Sequence, residues 1–127
     1  MRWPDKGSVH MLEWPVLPSG ERDDALLAKW TEVRRLREAV TEAIEPFRRE
    51  KTIRSSLEAE VAVPALPLSA EALEEVFIVA QVREGQDIAV TRSDNHKCGR
   101  CWRLRPEVAS DGALCDRCAT VVGEVTA

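Results

Sequence analysis

The sequence predicts an α+β protein: a long amphipathic helix, a small β-sheet with one covering helix, and an irregular C-terminal module stapled by cysteines. Three observations carry that prediction. Apolar residues recur at helical spacing from Leu26 to Phe47, two later stretches are dense in β-branched and apolar residues, and every cysteine falls after residue 97. At 127 residues the chain fits one ordinary domain, or two small modules sharing a tail. A chain of this size buries roughly two-thirds of its unfolded surface, enough for a modest core.

The leading segment, Met1 to Gly20, is rich in Pro, Gly and Trp, and its apolar residues (Val9, Met11, Leu12, Trp14, Leu17) fit no helical period. It is expected to run extended and to pack Trp3 and Trp14 onto something larger. The helix follows. Leu26, Trp30, Val33, Leu36, Val40, Ile44 and Phe47 step by three or four residues and so stay on one face, which predicts a helix from about Asp23 to Glu50. Asp23 or Asp24 supplies an N-cap, and Arg48, Arg49 and Lys51 suit the negative end of the dipole. Pro46 removes one backbone hydrogen bond and is expected to kink the helix or start a new turn, roughly opposite the apolar stripe.

Glu58 to Val63 reads as a strand stopped by Pro64 and Pro67, and Ser69 as the cap of a short helix reaching Glu74 or Glu75. Val76 to Val82 (VFIVAQV) reads as the best strand in the chain. A turn at Glu84, Gly85 and Gln86 then leads into an alternating strand, Ile88 to Arg92. No glycine-rich turn joins a strand to a helix, so no nucleotide site is expected. The tail from Asn95 to Thr120 shows neither period and is too short to build a core unaided.

The net charge of −4 argues against a uniformly basic nucleic-acid binder, but the distribution is uneven. Glu58 to Asp87 holds seven acids against one base, whereas Arg92 to Arg105 holds five bases against one acid. No apolar run is long enough to span a membrane, and MRWPDKG lacks the apolar stretch of a signal peptide. The expectation is a cytoplasmic protein with no membrane partner.

The chemistry lies in Cys98-Gly-Arg-Cys101 and Cys115-Asp-Arg-Cys118. A two-residue gap lets both thiolates of a pair face one ion, and two such knuckles complete a closed tetrahedral zinc shell. Disulfides suit a reducing cytosol poorly, and a thioredoxin-type redox pair needs one such motif at a helix start, not two in a loop-rich tail. With four thiolate ligands no position is open, so the one zinc ion is structural and no catalytic residue is expected. His96 and His10 are read as surface or packing histidines. Trp102 stands among Lys97, Arg100, Arg103 and Arg105. These five are candidate RNA contacts, the indole stacking on an unpaired base and the cations holding phosphate; equally, Trp102 can cover the zinc site as its miniature core. Some of the basic charge can serve instead to offset the four thiolates.

Five segments in order carry a resemblance: SVHMLEWP (Ser8 to Pro15), the helix from Trp30-Thr31-Glu32-Val33-Arg34 to Ala43-Ile44-Glu45, KTIRSSLEAEV (Lys51 to Val61), VFIVAQV, and KCGRCW with CDRC. Along nearly its whole length the chain resembles the C-terminal end of bacterial isoleucyl-tRNA synthetases. The resemblance implies that residues 1–56 end a helical anticodon-binding domain, 57–94 form a small α+β segment and 95–127 a zinc-finger module. It implies isoleucine tRNA and the rest of the synthetase as partners. ATP would be used only in a catalytic domain that this chain lacks, leaving it inactive alone; as an isolated piece, with the apolar helix face open, it is expected to be a monomer or weak dimer. Arg54 stands where the family often has glycine, which puts the local turn in doubt. A related four-cysteine finger occurs in formamidopyrimidine-DNA glycosylases, so a DNA-repair module is the alternative, and a protein-docking module a third.

Overall fold

A computed structural model describes residues 8–126. Helix α1 runs from Asp24 to Arg49 with Asp23 as its N-cap, the carboxylate accepting from the Leu26 amide at 2.9 Å. Its apolar stripe divides along the length. Val33, Val40 and Ile44 are buried, while Leu26, Leu27 and Trp30 at the N-terminal end remain open to solvent. Pro46 lies inside the helix on an exposed position, and the helix continues through it to Arg49. Lys51 then adopts a left-handed conformation (φ 60°), which turns the chain so that the Ile53 amide donates to the Phe47 carbonyl at 3.2 Å and Ile53 is fully buried. The positive φ of this turn falls at Lys51, and Arg54, where the family often has glycine, is not among the left-handed residues.

Strand β1 (Ala59–Val63) is followed by helix α2 (Ala70–Phe77), whose Ser69 cap accepts from the Ala72 amide at 3.3 Å. Strands β2 (Gln81–Glu84) and β3 (Ala89–Arg92) complete a three-stranded sheet in the order β2-β1-β3, with β2 parallel and β3 antiparallel to β1. β1 is central and buries Ala59, Val61, Ala62 and Val63. Both α1 and α2 pack on this unit, and one core joins Val33, Val40 and Ile44 to Leu73, Phe77, Val61, Val82 and Val90. The fold is α+β as expected, with α1 a second helix over the sheet.

The expected strand Val76 to Val82 is corrected. Val76 and Phe77 are the last turn of α2, Ile78 is left-handed at φ 59°, and extended pairing starts at Gln81. Leu73 and Phe77, four residues apart, must both enter the core, and that burial outweighs the β-propensity of the run. The Val79 amide closes the helix end onto the Glu74 carbonyl at 3.2 Å.

The tail is also more regular than its sequence indicates. β4 (His96–Lys97) pairs antiparallel with β5 (Leu104–Arg105), and helix α3 spans Asp116–Thr126. In the leading segment, turns of 3-10 helix occupy Val9–Met11 and Ser19–Glu21, and Trp14 is 95% exposed among the described residues, not packed as expected. Trp3 lies outside the described residues. No described helix is long and apolar enough to cross a membrane.

Candidate metal centre

The β4–β5 hairpin forms the first knuckle. The Cys98 amide donates to the Arg103 carbonyl at 2.9 Å and the Trp102 amide to the Cys98 carbonyl at 3.0 Å, with Trp102 left-handed at φ 65°. The second knuckle leads into α3, so that Cys115 precedes the helix and Cys118 stands in its first turn. Two backbone bonds lash the knuckles together: Gly99 N–H to Ala113 O at 3.0 Å and Gly112 N–H to Lys97 O at 2.9 Å. Gly99 is required there, because a Cβ would collide with the Gly112 carbonyl oxygen. Gly112 itself sits at φ 93°, a conformation that suits glycine. Asp111 accepts from the Lys97 amide at 2.8 Å, and this bond holds its carboxyl below the usual range.

The four sulfurs lie within 4.8 Å of one another, and Cys101 Sγ to Cys115 Sγ is 3.8 Å. Tetrahedral zinc with Zn–S of about 2.3 Å places its sulfurs about 3.8 Å apart. The cluster fits the ion. Cys98, Cys115 and Cys118 are buried, with Val108 and Ala113 packed around them as a miniature core.

Burial disfavours the charged form at Cys98, but backbone N–H groups of Cys101, Cys115 and Arg100 directed at its sulfur overcome this and lower the thiol to about 6. Burial pushes Cys115 up to about 12, reinforced by the neighbouring sulfurs, and raises Cys101 as well. The Arg100 guanidinium approaches Cys118 Sγ at 3.8 Å, so one of the nearby cations does face the sulfur cluster.

The candidate RNA-facing residues separate into two groups. Trp102 is 62% exposed and lies outside the miniature core, with the Lys97 ammonium 5.7 Å from the centroid of its ring. Arg100 is exposed beside it. Arg103 and Arg105 turn inward to α2. Arg103, 8% exposed, donates to Glu75 Oε1 at 2.9 Å. Arg105 Nη1 lies 2.8 Å from Oε2 of buried Glu74; its N–H is too poorly aimed for a hydrogen bond, so the contact is ionic. Glu74 Oε1 accepts from the Val82 amide at 3.4 Å, and Arg117 reaches Glu75 at 4.0 Å. The acidic middle and the basic tail thus meet within the molecule, with two glutamates of α2 clamping the finger onto the sheet unit. Nothing in the linear pattern indicated which cations would be spent this way; the signal was the Glu74-Glu75 pair among apolar residues of a short helix.

Fold and cluster together define a small α+β zinc-binding module. Residues 95–121 match a family described as the zinc finger found in FPG and IleRS. The match extends well beyond the finger. The chain is 49% identical over 132 residues to the isoleucine–tRNA ligase of Zymomonas mobilis, an alignment covering 97% of this chain. It is 39% identical over 135 residues to that of Neisseria meningitidis serogroup C and 36% over 132 residues to that of Agrobacterium fabrum, covering 94% and 87% of this chain. In each case the aligned part is 14% of the relative's length. The chain is thus related to the isoleucine–tRNA ligases, carries a zinc finger of the shared family, and corresponds to a short stretch of those enzymes, in keeping with their C-terminal zinc-finger region.

Proposed function

We propose that this chain is the tRNA-binding C-terminal portion of an isoleucine–tRNA ligase, contacting isoleucine tRNA on its anticodon side. Cys98, Cys101, Cys115 and Cys118 hold one structural zinc ion, which shapes the finger and takes no part in a reaction. Lys97, Trp102 and those N–H groups of Arg100 not directed at Cys118 form the outward RNA-contacting face. Arg103 and Arg105, paired with Glu75 and Glu74, position that face through the clamp to α2. In this reading residues 1–56 are the end of a helical anticodon-binding domain, and amino-acid activation belongs to parts of the enzyme outside this chain. The observation that carries the reading is the exposed indole with an ammonium over its ring, a platform for an unpaired base. Relatedness over 97% of the chain favours the ligase over a DNA-repair protein, for which the finger alone would speak.

Zinc-loaded protein is titrated with isoleucine tRNA at two salt concentrations, against a non-cognate tRNA and a duplex DNA. Preference for the isoleucine tRNA is expected; indifference among the three would sink the proposal. Trp102→Ala is expected to cost about 1–3 kcal/mol of RNA affinity, the worth of one stacked base, with zinc content unchanged.

A further inference from the structure

We propose that the cleft between α1 and the C-terminal end of α2 binds a backbone phosphodiester of RNA, a second contact remote in sequence from the zinc finger. The proposal rests on the RNA-binding reading above for its ligand. The cleft has a volume of about 130 Å³, room for one phosphodiester group.

Its lining is rich in donors. Arg37 and Arg48 are eleven residues apart on α1, a separation that returns to within about 20° of the same side of the helix. Arg37 donates its Nε to the Val76 carbonyl at 3.0 Å, which pins the guanidinium against the end of α2. Both of its Nη groups are without a partner among the described residues. Arg48 engages Glu45 through Nη1 at 3.1 Å, leaving its Nε and Nη2 to donate elsewhere. The half-buried Ser56 hydroxyl is a further lining donor.

Charge and shape narrow the ligand. Two guanidinium groups against the single Glu45 carboxylate leave a surplus of one positive charge, matching the one negative charge of a phosphodiester. A pinned guanidinium loses less conformational freedom on binding an oxyanion than a solvated side chain does. Ile78, 47% exposed, provides an apolar wall that a ribose can cover, which an isolated inorganic ion would leave wet. An RNA strand supplies both parts. An acidic peptide carries its carboxylates on flexible stems and lacks a sugar ring, with its C–H face, joined directly to the charge.

The test uses the full zinc-loaded chain and dimethyl phosphate, followed by NMR of the arginine Nε–H groups. Shifts of Arg37 and Arg48 that saturate together, and that vanish in Arg37→Gln, are expected. Shifts that grow linearly without saturating, or that persist in the variant, would overturn the site. Arg48→Gln keeps the Arg37–Val76 bond and decides the matter should Arg37→Gln fail to fold. With isoleucine tRNA, Arg48→Gln is expected to flatten the log K against log salt slope by roughly 0.7–0.9, the contribution of one phosphate. Trp102→Ala should lower tRNA affinity while the dimethyl phosphate titration stays unchanged. Saturation by dimethyl phosphate with an unchanged tRNA slope, or displacement by an acidic peptide but not by tRNA, would overturn the RNA assignment. If wild-type protein binds no RNA, the proposed function fails first, and the dimethyl phosphate titration still decides whether the cleft takes a phosphodiester.

Discussion

At the scale of single residues, the four cysteines are chemically unequal before any metal arrives. Cys98 lies near 6 because three backbone N–H groups stabilise its thiolate against the cost of burial, whereas Cys115, pushed to about 12, keeps its proton. The signs differ accordingly. Ionisation of Cys98 favours the folded finger at alkaline pH and loses that effect as pH falls through about 6, while the buried neutral thiol of Cys115 favours it below the ordinary thiol range and penalises it above. Zinc requires thiolates, so its uptake at pH 7 must displace the protons of Cys101 and Cys115. Calorimetry in two buffers of different ionisation enthalpy is expected to count at least two protons released per zinc, and a count near zero would contradict this assignment. Ile78 offers a second test. A β-branched residue at φ 59° is strained by about 1–2 kcal/mol, and part of that is recovered by a residue without a Cβ. Ile78→Gly relieves that strain but gives up a half-buried side chain and frees the unfolded chain, so its net effect in urea denaturation is expected to lie within about 0.5 kcal/mol of zero. Ile78→Ala, which keeps the strain and loses the burial, is expected to destabilise by about 1 kcal/mol.

Among the elements, the contact between α2 and the β4–β5 hairpin determines how the finger is held. Glu74 is 5% exposed, and a carboxylate so placed needs its cation. Arg105→Leu leaves it buried and uncompensated, with an expected loss of roughly 3 kcal/mol, whereas Glu74→Gln combined with Arg105→Leu removes both charges, keeps an acceptor for the Val82 amide and is expected to cost much less. Chemical denaturation of the two single variants and the double in zinc-saturated buffer measures the coupling; strict additivity would show that the pair does not interact. The same clamp explains why a net count of cations overstates the positive charge that faces solvent. Two of the five bases between Arg92 and Arg105 are turned toward α2, a disposition that depends on where α2 ends and is invisible in the charge pattern.

For the whole molecule, two cores of different character share one chain. The larger joins α1, β1, α2, β2 and β3 through buried aliphatic residues; the smaller consists of the cysteines with Val108 and Ala113. The first is held by hydrophobic burial and the second by metal ligation, so they should respond differently to a chelator. Zinc removal is expected to abolish amide protection across residues 96–118 while β1 and α2 keep theirs, as read by hydrogen exchange with mass spectrometry. Loss of protection throughout would mean that the clamp couples both cores into one cooperative unit.

The sequence by itself determined the features that depend on near neighbours. A seven-residue apolar stripe and an aspartate cap specify α1, Ser69 specifies the start of α2, and the paired two-residue cysteine gaps specify a cluster, because each is a matter of local spacing. Tertiary structure decided the rest. It ended α2 at Phe77 inside the run that read as the best strand, since a place in the core outweighs local β-propensity. It extended α3 from the second knuckle, where the ligand cluster and not an apolar period fixes the first turn. It also turned Arg103 and Arg105 toward buried and half-open glutamates and left Trp102 facing solvent. Which charge meets which partner depends on distances between residues far apart in the chain, and a linear pattern carries no such distances.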